Sequence, residues 1–268
     1  MAIQKRNDER TTMLSGEFQP RYESGFAWRT ACSMYQALTG LRGFWPMSAL
    51  SATGAAFDQS GNGRTLTYNG AATYDFDGLA PYYHVAGAGF LSRADEAGLD
   101  ILGTEAYIAA GHRGLTMGGW FRPEDNATAQ MLMGKISAAA GNFSYEIYLD
   151  GTVANDPVNF LISDNGINVS VATSTATTTM NEWVFVAGRF NDALAGAELA
   201  IWHNDTMTPA ATARTAIFSG NAAFSIAANE VGAAPYSGRA SMCFLCAAAL
   251  ADATVWAIYQ QTRALFKV

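Results

Sequence analysis

The sequence predicts an all-β sandwich, and three observations carry that prediction. Two strands centred on tryptophan, Gly114-Leu-Thr-Met-Gly-Gly-Trp-Phe-Arg-Pro123 and Glu182-Trp-Val-Phe-Val-Ala-Gly-Arg-Phe190, alternate large and small residues at the two-residue period of a strand. Short apolar runs recur along the chain from Leu41 onward, separated by Gly, Asn and Asp. The turn pairs between them, Asp150-Gly151, Asp164-Asn-Gly166 and Asn204-Asp205, are residues that enter positive φ at low cost, as hairpins require.

Residues 1 to about 25 are charged and turn-rich with no sustained period, which predicts an arm. Phe26 to Leu38 has apolar residues near helical spacing between Ser24-Gly25 and Gly40, the pattern of a capped helix. Strands are expected at Gly43–Met47, Thr65–Tyr68, Phe143–Leu149, Val158–Ser163 and Glu198–Trp202. The Ser/Thr/Ala run 173–179 continues the alternation of Ile167–Ala172 and predicts an edge strand or exposed hairpin. Asp252 to Phe266 is amphipathic through Val255, Ile258, Tyr259 and Leu265 and predicts a closing helix. The expected organisation is therefore an N-terminal arm and helix over 1–40, serving anchoring or assembly, and a sandwich over 41–268.

Half of the residues are hydrophobic and 15% are charged, which is a globular composition. The acidity behind the net charge of −7 resides in the body, because residues 1–40 carry five Lys/Arg against four Asp/Glu and the rest eleven against nineteen. An acidic body repels a phosphate backbone, so no nucleic-acid partner is expected. No apolar run is long enough to span a bilayer, and Met-Ala-Ile-Gln-Lys-Arg-Asn-Asp-Glu-Arg lacks the apolar stretch of a signal peptide. The expectation is a protein made in the cytoplasm of its host, with no membrane association. Cys243 and Cys246 read as a strand pair pointing to opposite faces, so buried thiols are expected in place of a metal or redox site.

The order of these pieces resembles a laminin-G-like, concanavalin A-like jelly roll over about Gly40 to Gln261. The carrying residues are Phe44-Trp-Pro-Met47 with the turn Asp58-Gln-Ser-Gly-Asn-Gly63, then Leu115 to Pro123 and Ile147-Tyr-Leu149. Trp183 to Phe190, Leu199 to Asp205, and Tyr236-Ser-Gly-Arg239 through Leu250 follow in the family's order. The resemblance implies a jelly-roll sandwich; it carries little about activity. Where relatives bind calcium, the resemblance implies Asp58 and Asn62 as ligands. This chain, however, has Ala240-Ser-Met242 where many relatives carry acidic residues, and calcium needs six to eight oxygens. An Asx turn is the favoured reading of Asp58, and no cofactor is expected. The arm preceding the sandwich, and the ending Ala-Leu-Phe-Lys-Val268, are similar to jelly-roll proteins encoded in tailed-bacteriophage structural regions.

Catalysis finds little support in the residue pattern. The Glu-x-Asp-x-x-Glu signature of β-glucanases is absent, and Glu146 and Asp150 share a strand face while Asp150 belongs to a turn. His84, His112 and His203 stand singly, without metal spacing or a triad pattern. Sugar binding needs only an aromatic platform with a few polar groups. Tyr82 and Tyr83, expected in a loop after Pro81, and Trp202 with His203 and Asn204, expected at a hairpin tip, are the candidates. Trp120 and Trp183 are expected in the core.

The expectation for function is a non-enzymatic structural protein of a phage virion, a capsid or tail decoration. Residues 1–40 would hold it to other virion proteins in a homo-oligomeric assembly. The alternative is a carbohydrate-binding module for adhesion to a host surface, and a glycoside hydrolase stands third.

Overall fold

The computed structural model describes residues 19–48, 55–70, 72–77, 80–85, 87, 89–101, 113–137 and 141–268, with side chains from residue 27 onward except at 72, 74, 76 and 77. The larger part of the expected arm, 1–18, and His112 lie outside the described residues. A helix, α1 (Gln19–Gln36), leads into β1 (Leu41–Trp45), β2 (Thr67–Asn69), β3 (Ala72–Asp77), β4 (Ala80–Val85) and β5 (Phe90–Arg93). The central strands are β6 (Gly114–Pro123), β7 (Ala129–Ile136), β8 (Phe143–Asp150), β9 (Val158–Gly166) and β10 (Val169–Thr173). Then come β11 (Val184–Asn191), β12 (Leu199–His203), β13 (Thr206–Ala210), β14 (Phe224–Ile226), β15 (Gly238–Cys246) and the closing helix α2 (Asp252–Phe266).

These strands form two antiparallel sheets. One runs β13-β12-β11-β6-β15-β4-β3, with β1 pairing the far half of β15; the other runs β10-β9-β8-β7-β14-β5-β2. The all-β sandwich with a helix at each end is thus the observed architecture. Alternation assigns the faces. On β8, Tyr145, Ile147 and Leu149 enter the core between the sheets with Phe160, Ile162, Val186 and Phe190, so Ser144, Glu146 and Tyr148 lie on the outer face. Gly188 sits where a Cβ would stand 2.3 Å from the Phe160 ring, so glycine permits this approach of β11 to β9.

The outer face of the first sheet carries a second core beneath the two helices. Trp120, Trp183, Phe185, Trp202 and Tyr82 meet Ala31, Cys32 and Tyr35 of α1 and Val255, Ile258, Tyr259, Leu265 and Phe266 of α2. Both expected core tryptophans are buried, Trp120 fully, but they fill this helix-on-sheet layer and not the space between the sheets. Tyr35 stacks on Phe44 at 4.6 Å, so α1 packs on its own sandwich and residue 40 marks no break in the packing. A bulge at Met242, φ +47, turns Ser241 and Met242 to the same face of β15. Beyond it Cys243 points into the inter-sheet core and Cys246 into the helix-covered one, as the spacing predicts. Burial pushes both thiols well above the usual cysteine range.

The sequence-based elements shift in several places. The helix already includes Gln19, a full turn or more before Phe26. The 80–85 segment expected as a loop is β4, and β7, unmarked in the sequence, is central to the second sheet. Positive φ falls at Gly166 and Asn204 as expected; in the turn after β8 it falls at Asn155 and Asp156, not at Gly151. Val169–Thr173 is an edge strand, and 174–179 leaves the sheet.

Candidate functional site

Burial decides which expected site residues face a ligand. Tyr82 is 5% exposed on β4, its ring edge-on to Trp183 and covered by the Arg239 guanidinium 4.7 Å from its centroid. Tyr83 points the opposite way, into the inter-sheet core, stacking near Tyr68 and donating its hydroxyl to the Ala55 carbonyl. Trp202 is 2% exposed under Arg189. A ring enclosed on both faces offers no platform to a sugar, so the loop and hairpin-tip placements are corrected to buried strand positions. The structure also keeps Tyr82 and Trp202 apart: four inter-strand steps separate β4 from β12, about 19 Å at ~4.8 Å per strand.

The neighbours of Trp202 serve the hairpin. His203 is buried with Nδ1 3.2 Å from the Ala176 carbonyl, and burial lowers its pKa, so the ring stays neutral. Asn204 takes the left-handed turn at φ +56 and exchanges hydrogen bonds with Phe185: its Oδ1 accepts the Phe185 N–H, and its own N–H donates to the Phe185 carbonyl. His84 pairs through Nε2 with Glu124, 2.8 Å, and Arg239 Nε reaches the other oxygen at 2.9 Å. Burial alone would raise the Glu124 pKa; the hydrogen bonds and charges of His84 and Arg239 outweigh it and hold the carboxyl low.

Asp58 and Asn62 build a turn. Asp58 Oδ1 accepts the N–H groups of Phe44 and Ser60, while Oδ2 accepts the Arg64 N–H and the Ser60 hydroxyl, all at 2.8–3.0 Å. Asn62 Nδ2 donates to the carbonyls of Leu41 and Arg42. The Asp58 oxygens are thus engaged in pinning β1 to the following loop, as an Asx turn does. Among the described residues no group of three His, Cys, Asp or Glu stands ready for a metal ion.

The second sheet offers a different feature, on the outer face opposite the helix-bearing side of the sandwich. Ala129, Gln130, Met131, Glu146, Tyr148, Leu161 and Ala234 line a shallow depression of about 210 Å³. Its floor follows from local backbone choices. A bulge between Met131 and Met133 re-aims β7, leaving Met131 on this face while Leu132 and Met133 enter the core. Gly134 pairs with Glu146, where a Cβ would meet the Tyr145 carbonyl at 2.5 Å.

Glu146 is the unusual member. It is 7% exposed, and among the described residues its carboxyl has no hydrogen-bond partner. Burial pushes its pKa up to about 8, so at neutral pH it is chiefly a carboxylic acid. Gln130 also lines the depression, but both ends of its amide are engaged: Nε2 donates to the Asp125 carbonyl and Oε1 accepts the Ser237 N–H. Tyr148 is half-buried beside Glu146. A buried, unpaired ionisable group in a cleft is a recurrent mark of a binding or catalytic site. The alternation of Phe-Ser-Tyr-Glu-Ile-Tyr-Leu149 places Glu146 and Tyr148 together on one face; what the sequence leaves out is the wall from β7, β9 and the 234 loop.

Similarity to known proteins agrees with this architecture. Solved structures with the same fold include the binding domain of botulinum neurotoxin DC, determined with rat synaptotagmin II: TM-score 0.60, 12% identity, 82% of this chain and 51% of that one. Domain 4 of an extracellular GH43 arabinanase from Geobacillus stearothermophilus, determined with arabinotriose, superimposes at TM-score 0.58 and 14% identity over 82% of this chain and 98% of that one. A botulinum neurotoxin type C structure, described as depending on two ganglioside molecules for cell entry, gives TM-score 0.60 at 11% identity, with 82% and 51% coverage. The chain spans about half the length of the neurotoxin domains it matches. No curated protein matches the sequence. A family model matches residues 102–255, more than half of the chain, and on that match the chain belongs to the concanavalin A-like lectin/glucanases superfamily, as a lectin-like jelly-roll domain.

Proposed function

We propose that this chain is a non-hydrolytic carbohydrate-binding module whose ligand occupies the depression around Glu146 and Tyr148. The observation that carries the reading is the nearly buried Glu146, whose carboxyl has no partner among the described residues, in a depression on the sheet face that bears no described helix. Binding is favoured over hydrolysis because the upward pKa shift of Glu146 arises from burial, with no second carboxylate contributing among the described residues. A glycosidase needs two carboxylates roughly 5–10 Å apart. That a structural neighbour was determined with arabinotriose, and another is described with gangliosides, supports sugar as the ligand class.

The test is a glycan array with the wild-type chain, followed by Glu146→Ala and Tyr148→Ala on any glycan retained. Loss of binding in both variants, with folding intact by circular dichroism, is expected. Binding that survives both would move the site elsewhere.

We further propose display on a virion as the setting, on the resemblance of an arm plus sandwich to phage structural-region jelly rolls. The supporting observation is geometric: α1 lies outside the first sheet and the depression outside the second, so a partner held by the N-terminal side leaves the depression facing outward. Co-sedimentation of the full chain with assembled particles, abolished by deleting residues 1–18, is the expected result; unchanged sedimentation after the deletion would overturn anchoring by that segment.

A further inference from the structure

We propose that the depression recognises the acetamido group of a 2-acetamido sugar. The inference rests on the carbohydrate-binding reading above and names the chemical group that the site selects. Its basis is the mismatch between the depression and an ordinary pyranose edge. Ala129, Met131, Leu161 and Ala234 supply apolar walls, the Gln130 amide is already bonded to the protein at both ends, and among the described residues the Glu146 carboxyl and the Tyr148 hydroxyl are the lining polar groups left without a protein partner. A sugar edge with several hydroxyls would leave most of them desolvated and unpaired there.

An acetamido group has the complementary pattern. Its methyl fills the space between Met131 and Leu161, and its single N–H donates to a Glu146 oxygen. The amide carbonyl remains toward solvent at the open side, and the sugar ring meets the half-buried Tyr148, using an aromatic surface as carbohydrate sites do. A free amine at the same position is disfavoured, because an ammonium in these walls loses its hydration for a single carboxyl partner.

Saturation-transfer NMR and isothermal titration calorimetry on the full chain test the assignment. The probes are N-acetylglucosamine and N-acetylgalactosamine, their unacetylated parents glucose and galactose, and glucosamine as the amine. The expected result is at least a tenfold preference for an acetamido sugar over its parent, with the strongest transfer to the acetyl methyl. Ala129→Trp, at the exposed rim, should fill the depression and abolish binding without touching the core. Glu146→Gln retains a carbonyl acceptor and should keep the preference, while Glu146→Leu should lose it. Equal binding of acetamido and parent sugars, sensitive to Ala129→Trp, would overturn the acetamido assignment and leave the carbohydrate reading standing. Preference for glucosamine would overturn it in favour of a cation. Binding of none of the probes at millimolar concentration would overturn the acetamido assignment, and a glycan array that is blank as well would take the carbohydrate reading with it.

Discussion

Phe266 of the closing helix stacks on Trp120 of the central strand β6, ring centroids 4.3 Å apart and planes within 15°. The same indole donates its Nε1–H to Thr262 Oγ1 one helical turn earlier, 2.9 Å away. Tyr259 stacks on Trp120 at 5.9 Å and Trp183 lies tilted against Phe266 at 4.9 Å, completing the cluster. The helix is therefore a structural third layer on the first sheet. This also explains why a Trp-centred strand, which looks like a potential ligand platform, has no free aromatic surface.

The first prediction concerns this layer. Phe266→Ala should destabilise the fold by about 3–5 kcal/mol in urea unfolding, the usual range for truncating a fully packed aromatic. Thr262→Val, which keeps the shape and strands the indole N–H, should cost about 1–3 kcal/mol. Losses below 1 kcal/mol in both variants would mean that α2 is dispensable to the sheet.

The second concerns pH. Glu146 has an ordinary pKa of 4.5 when unfolded and about 8 when folded. Between those values the native state holds a proton that the unfolded state has released, so stability falls as pH rises from 4.5 toward 8 and then levels off. Glu146→Gln removes the titration. The variant should gain on wild type by about 4–5 kcal/mol between pH 4 and pH 9, measured as the difference in unfolding free energy. Parallel stability curves for the two proteins would show that Glu146 is solvated.

The third concerns the turn after β1. Asp58→Ala strands the N–H groups of Phe44, Ser60 and Arg64 and should cost about 2–3 kcal/mol. Because the carboxylate already accepts these bonds, millimolar calcium should leave the wild-type Tm unchanged. A calcium-dependent rise of several degrees, lost in Asp58→Ala, would establish a metal site there.

Much of the candidate site was legible in one strand and invisible in the others. Phe143 to Leu149 alternates cleanly, so Glu146 and Tyr148 share a face by arithmetic alone. Met131 gave no such sign: Gln-Met-Leu-Met-Gly-Lys has no two-residue period because a bulge interrupts it. Tyr82 and Tyr83 misled for a related reason, since Pro81 reads as a loop signal yet opens a strand whose two tyrosines enter two different cores.

Periodicity and turn chemistry were enough to declare the sandwich, the closing helix over Asp252–Phe266 and the opposed faces of Cys243 and Cys246, because those properties are set by residues a few positions apart. Which aromatic rings remain open to a ligand depends on what covers each sheet, and that cover comes from segments more than a hundred residues away, as Trp120 and Thr262 show. The loneliness of the Glu146 carboxyl is likewise a tertiary fact. It arises because walls from β7, β9 and the loop at Ala234 bury most of the side chain without supplying a donor, and no local pattern encodes that arrangement.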